Sequence, residues 1–301
     1  MTWRYVPFTV ICVLAVLLFE VPLTALCRLS QQQEMYSLTL VIAPISLGVM
    51  YLNRKRIFRD LHYCFRLGVG FLIAGMMLYW LSRRLSQSLD QNDYLSLAVF
   101  SFVIVLIGAF VLSYGTKAFR AAAFPLLFLL LIVPVPGFLL ERIVLALQRG
   151  SAEVADVLFK LSGVPVLRQG FTFALPSVTI NIAHECSGIR SSLALFITSL
   201  LAGYVFLRSK WRRGVLSLFV VPVAIIKNGV RIVTLSLLAA YVDRGFLTGS
   251  LHHRYGGALF SVLALAALVP VLWLLQRQEG SSQGCRPRAE KTRSRFVPET
   301  G

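Results

Sequence analysis

The sequence predicts an α-helical polytopic membrane protein: about eight transmembrane helices with a small extracytoplasmic cap made of a helix and a hairpin. Three observations predict it. The 301 residues are 57% hydrophobic and only 14% charged, with a mean hydropathy of +0.74. Several apolar runs approach or exceed the roughly 20 helical residues needed to cross a bilayer core of about 30 Å. Finally, the basic residues gather in the connections on one side of those runs, as cytoplasmic loops do.

Taken in order, the apolar runs fall at roughly 5–27, 38–52, 67–82, 93–114, 119–140, 187–207, 214–240 and 255–275. The second and third are short for a full crossing. The first is long, follows a single Arg4 and has no small-residue cleavage site, so it reads as a retained helix rather than a cleaved signal. In the fifth, Pro134-Val135-Pro136-Gly137 removes backbone donors and predicts a kink or an early helix end. With the N-terminus inside, the clusters Arg54-Lys55-Arg56, Lys117/Arg120 and Arg208 to Arg213 and the basic tail all face the cytoplasm. Both termini are then cytoplasmic and Cys186 lies on the outer face.

One sizeable extracytoplasmic segment results, at 141–185. Its first half places Val144, Leu147, Val154, Leu158 and Leu161 mostly at three- and four-residue steps, the pattern of an amphipathic helix. After Ser162-Gly163 come short strand-like runs, 164–167, 171–175 and 178–182, the first two flanking Arg168-Gln169-Gly170. The chain therefore divides into a transmembrane domain, 1–276, and a polar, basic tail, 277–301, expected to be disordered. The tail ends Val-Pro-Glu-Thr-Gly, which looks like a sorting motif but follows the last helix and basic cluster instead of preceding them. Truncation after Gln278 is expected to leave activity intact.

The net charge of +17 does not signal a nucleic-acid partner, because the cations sit in short connections between membrane runs; the partner they imply is the lipid bilayer. The five cysteines form no CxxC pair and no His/Cys spacing suited to zinc. No metal cluster and no cofactor motif is expected.

Chemistry concentrates in three places. The stretch Asn181 to Ser192 runs straight into an apolar helix, putting Cys186 and Ser187 at its first turn. Unpaired N–H groups and the positive end of the helix dipole favour a thiolate there, and Arg190, four residues on, adds a cation. His184 and Glu185 adjoin the thiol and are candidates to tune it. The second place is Lys227-Asn228-Gly229-Val230-Arg231, deep in the seventh span. A charge at such depth costs at least about 2.5–3.5 kcal/mol and faces a polar interior. Of the carboxylates, only Glu20 lies well inside a span. The third is His252-His253 at the outer mouth of the last span, imidazole being the usual proton carrier for a thiol nucleophile.

The order Cys186-Ser187-Gly188-Ile189-Arg190, then Asn228-Gly229-Val230-Arg231-Ile232, then His252 followed by Gly256 and Phe260 resembles the exosortase/archaeosortase family of membrane cysteine transpeptidases. The hairpin region 163–170 resembles it too. The match covers roughly 138–260; before that it is hydropathy alone. The resemblance implies a bacterial inner-membrane enzyme that processes proteins carrying a C-terminal sorting signal, namely a motif, a transmembrane helix and a basic cluster. It implies Cys186 as nucleophile through a thioester, Arg231 as oxyanion or substrate stabiliser, and the histidine of the last motif as acid/base. Spacing to Gly256 and Phe260 favours His252; alignment on Gly257 selects His253. Arg190, Asn228 and Glu185 are supporting residues, and the acceptor is open. A reading from another class is a transporter or polysaccharide-export component with Arg231, Asn228 and Lys227 lining a polar path. It calls for polar residues on several helices near mid-membrane, and the first five spans hold almost none.

Overall fold

A computed structural model describes residues 5–33, 36–59, 61–182, 188–243 and 256–284. The chain divides into two compact units, Met1–Ala146 and Leu147–Gly301.

Unit 1 is organised on one helix. α1 (Tyr5–Leu18), α2 (Glu20–Gln32), α3 (Thr39–Leu52), α4 (Arg54–Ile57) and α5 (Phe65–Arg84) precede α6 (Gln91–Ala121), whose backbone leaves helical geometry at Gly115. Two-thirds of the apolar window of α6 is buried, against 17% for α5, so α6 is the core and α5 shows most of its surface outward. Phe110 and Tyr114 of α6 meet Phe8 and Phe58 in an aromatic cluster, with ring centroids 4.9–6.4 Å apart.

The first apolar run is not one helix. It bends by 71° between α1 and α2, at Phe19, whose ring is buried against Tyr79 and Phe102. Pro22 supplies the reason: it has no N–H to offer Leu18 O. That carbonyl takes the Tyr79 hydroxyl instead, at 3.2 Å. The run at 119–140 also breaks, into α7 (Ala123–Phe128), a 3-10 turn (Leu129–Ile132) and, beyond the prolines, α8 (Gly137–Ser162). Side chains answer the backbone groups left at this break. Ser96 Oγ donates to Pro134 O, Asn92 Nδ2 donates to Val135 O, and Gly137 N donates to Asp93 Oδ1. Tyr36 Oη donates to Asn92 Oδ1 and fixes that amide. Backbone groups away from water require such partners.

Among the described residues, five helices are long and apolar enough to cross a membrane, and seven segments are if each bent pair counts as one span. α3, at the second expected run, is shorter, with 14 residues, about 21 Å at roughly 1.5 Å per residue.

Among the described residues, unit 2 holds the remainder of α8, a three-stranded sheet and three long helices: α9 (Ile189–Phe206), α10 (Lys210–Tyr241) and α11 (Gly256–Gly284). α9, α10 and α11 pack on one another through Leu195, Val220, Ala264 and Leu268. The strands β1 (Leu167–Gln169), β2 (Thr172–Ala174) and β3 (Thr179–Asn181) form an antiparallel meander in the order β1-β2-β3. β1 begins later than the expected run 164–167. Gln169 pairs with Thr172, leaving the two-residue turn Gly170-Phe171. Gly170 has φ +62° while Phe171 does not enter positive φ, the pattern of a type II′ hairpin with Gly first.

The buried stripe of the unit 2 part of α8 is also rotated from expectation. It reads Leu147, Gln148, Ser151, Ala152, Ala155 and Phe159. Val154 and Leu158 are half-buried, and Leu161 is 77% exposed. Ala152, Ala155 and Phe159 pack with Phe173, Leu175 and Ile182 of the sheet region and Ile232 and Val233 of α10.

The tail boundary expected at 276/277 falls inside α11. Glu279 accepts hydrogen bonds from Arg208 N (3.1 Å) and Ser209 N (2.8 Å) and pairs with Arg212 at 3.4 Å. It therefore caps α10, whose own N-cap side chain makes no such bond. The terminal Val-Pro-Glu-Thr-Gly lies outside the described residues.

Candidate active site

Close approach of α8 and α10 comes first, because it is what allows short polar side chains to meet. A Cβ placed on Gly150 would come within 2.9 Å of Ile225, and one on Gly229 within 2.5 Å of Val154. Small residues at a helix interface let the backbones draw together. Across that contact Asn228 Nδ2 donates to Ser151 Oγ at 3.1 Å, with both residues at most 1% exposed.

Asn228 also meets the start of α9. Gly188, the N-cap of that helix, has φ +73° and ψ 17°, a left-handed conformation that side chains with a Cβ rarely adopt. A Cβ there would sit 3.0 Å from Asn228 Oδ1. Gly188 is thus glycine for two reasons, its φ and the amide against it. Its carbonyl accepts from Ser192 N, Ser191 Oγ and Ser192 Oγ, each at 2.9 Å. Lys227, 8% exposed, donates through Nζ to Ser191 Oγ. So α10 holds the first turn of α9 by two adjacent side chains, Lys227 through Ser191 and Asn228 at Gly188. Arg231 lies one turn further along α10 and is half-buried, placing a second cation at i+4 from Lys227.

The other side of the site is built by α8 and the sheet. Ile182 N donates to Phe171 O at 3.0 Å, one residue past β3. Its carbonyl accepts from Gln148 Nε2 of α8. At the far end of the sheet, Arg168 on β1 forks onto Glu153 of α8 at 3.1 and 2.6 Å. That hydrogen bond raises the Arg168 pKa above its ordinary value. Ser177 Oγ donates to Ala240 O at 3.0 Å and ties the sheet region to the end of α10.

Of the residues singled out from sequence, Asn228 stands beside Gly188, and Arg231 shares its helix. Cys186, with His184, Glu185 and Ser187, lies outside the described residues, as do His252 and His253. α9 begins at Ile189 with Gly188 as its N-cap. Arg190, the second residue of α9, is exposed. Sequence reading missed Gln148, Ser151 and the Lys227–Ser191 contact. A signal existed for the first two: polar residues at 148 and 151 interrupt a stripe that is otherwise Leu, Ala and Phe.

A family model described as transmembrane exosortase matches residues 30–269. The chain belongs to the exosortase family. It is therefore a multi-pass membrane protein of a family of cysteine transpeptidases that act on proteins bearing sorting signals. The match runs through both units and includes the strands, α9, the polar stretch of α10 and the start of α11. No curated protein and no solved structure matches the chain.

Proposed function

We propose that the protein cleaves substrates carrying a C-terminal signal (a short motif, a transmembrane helix and a basic cluster) on the outer face of a bacterial inner membrane, through a thioester on Cys186. One observation carries the reading. Asn228, in the second of the stretches that carry the resemblance, lies against Gly188 of the first, two residues after the thiol in sequence.

In this scheme the Cys186 thiolate attacks the carbonyl carbon of the scissile peptide. The developing oxyanion takes hydrogen bonds from Arg231, whose guanidinium offers several donors in a plane. As the C–N bond breaks, the histidine, His252 by spacing or His253, gives its proton to the leaving amine of the anchor fragment. The thioester then passes to an acceptor nucleophile, an amine, a hydroxyl or water. Its proton goes to the now neutral imidazole, and Cys186 leaves as thiolate. Asn228 and Lys227 hold the start of α9, and Arg190 and Glu185 complete the charged surroundings of the thiol. The chemistry calls for no metal or cofactor.

The test is co-expression with candidate proteins that carry such C-terminal signals, scoring cleavage by the wild type against Cys186→Ala and Cys186→Ser. Both variants are expected to insert and to process nothing, since serine supplies no thiolate equivalent at neutral pH. Processing by Cys186→Ala at the wild-type rate would end the proposal.

A further inference from the structure

We propose that Gln148 and Ser151, one helical turn apart on α8, are positioning residues for Cys186, holding the two ends of the stretch that carries it. The inference rests on the reading of Cys186 as nucleophile and adds to it a support from a helix with no part in the family motifs quoted above.

At the upstream end, β3 stops at Asn181, and the next residue still donates into the ladder from its N–H to Phe171 O. The carbonyl of that residue, Ile182, leaves the ladder and takes Gln148 Nε2 in place of a strand. At the downstream end, Ser151 holds the Asn228 amide, and Asn228 closes on Gly188 at the start of α9. Ile182 and Gly188 stand four residues before and two residues after Cys186. Both anchors lead back to a single turn of α8.

Packing alone does not call for these side chains. Gln148 is 3% exposed and Ser151 0%, on a stripe whose other members are Leu147, Ala152, Ala155 and Phe159. An amide buried among them is costly unless hydrogen bonded, and an apolar residue of the same size would fill the space at no such cost. Gln148 also keeps Oε1 buried with no donor among the described residues, so the amide has capacity for a further N–H. Ile182 and Gly188 thereby fix where the chain enters and leaves the stretch that carries Cys186. A nucleophile is effective only when held in attack geometry.

The experiment uses the full chain with Cys12, Cys27, Cys64 and Cys285 replaced by Ala, so that Cys186 is the sole thiol. Two readings are taken: the rate of Cys186 alkylation by iodoacetamide across pH, and kcat and KM for a sorting-signal substrate, normalised to folded protein. Gln148→Met keeps length and volume but loses both hydrogen-bonding atoms; Ser151→Ala removes only the hydroxyl, so it tests the clamp even where the first variant folds poorly. Both are expected to shift the pH profile of alkylation and to lower kcat, Gln148→Met by about 100-fold, with KM little changed. Alkylation profiles and kcat at parental values in both variants would overturn the clamp while leaving Cys186 as nucleophile. Undiminished processing by Cys186→Ala would instead overturn the catalytic reading beneath it.

Discussion

In residues 1–146 the buried polar side chains, among the described residues, are serines and one threonine. Several bond within their own helix, as Ser101 does to Leu97 O at 2.6 Å and Ser82 to Tyr79 O at 2.8 Å. In residues 147–301 the buried set includes an ammonium and two amides, Lys227, Asn228 and Gln148. These bond across elements, to Ser191, Ser151 and Ile182. A hydroxyl turned back on its own helix satisfies itself and links nothing. An amide or a cation taken out of water needs a partner brought from elsewhere, and so fixes one element against another. The first unit therefore reads as membrane architecture around α6, and the second as the half in which buried amides and a cation fix one element against another. Of the polar groups of unit 1 that bond across elements, Asn92, Asp93 and Ser96 answer a proline break, Tyr79 takes Leu18 O at the bend, and Ser46 donates to Pro125 O.

The contrast can be broken most decisively at the charged groups. Arg231→Lys is expected to lose most processing despite keeping its charge, because an ammonium does not reproduce the planar fork. Near-wild-type turnover in that variant would reduce Arg231 to a counter-charge and bring unit 2 closer to unit 1. At the histidines, His252→Ala should inactivate and His253→Ala should be tolerated in the same assay; the reverse outcome moves the acid/base role by one residue.

Gly188→Ala tests the α9–α10 contact. A left-handed backbone costs a non-glycine residue about 1–2 kcal/mol, and the new Cβ would also press on Asn228 Oδ1 at 3.0 Å. Thermal unfolding in detergent should show the loss, with processing falling further than stability.

Removal of the tail separates two endpoints. Truncation after Gly284 should leave stability and processing unchanged. Truncation after Gln278, expected from the sequence to leave activity intact, removes the Glu279 carboxylate from the start of α10 and should lower the melting temperature. Equal melting of the two truncated proteins would dismiss the cap. The smallest effect is expected in unit 1: Ser101→Ala deletes a hydroxyl bonded within its own helix and should change stability by less than about 1 kcal/mol, with processing untouched.

Hydropathy made the membrane helices legible, because the bilayer imposes a length and a composition on any segment that crosses it. The positions of the breaks were only partly legible. Pro134 and Pro136 announced one. Pro22 did not announce the bend at Phe19, since a proline in the first turn of a helix is ordinary; the bend shows only when the Tyr79 hydroxyl is seen on Leu18 O. The amphipathic pattern placed a helix over α8 but on a neighbouring face, because Val154, Leu158 and Leu161 satisfy the same spacing as the stripe that is buried. Glu279 read as tail because its partners, Arg208 and Ser209, are about seventy residues away.

The sequence by itself determined that this is a helical membrane protein, and it marked Cys186, Asn228, Arg231 and His252/His253 as the residues of interest. Motif order and the rarity of charge in an apolar run are local properties, readable along the chain. Only the tertiary structure decided that Asn228 meets Gly188, that Lys227 reaches Ser191, and that Gln148 and Ser151 stand behind Ile182 and Asn228. Those contacts depend on how closely α8, α9 and α10 approach. Gly150 and Gly229 permit that approach, and in the sequence they are two glycines among 21.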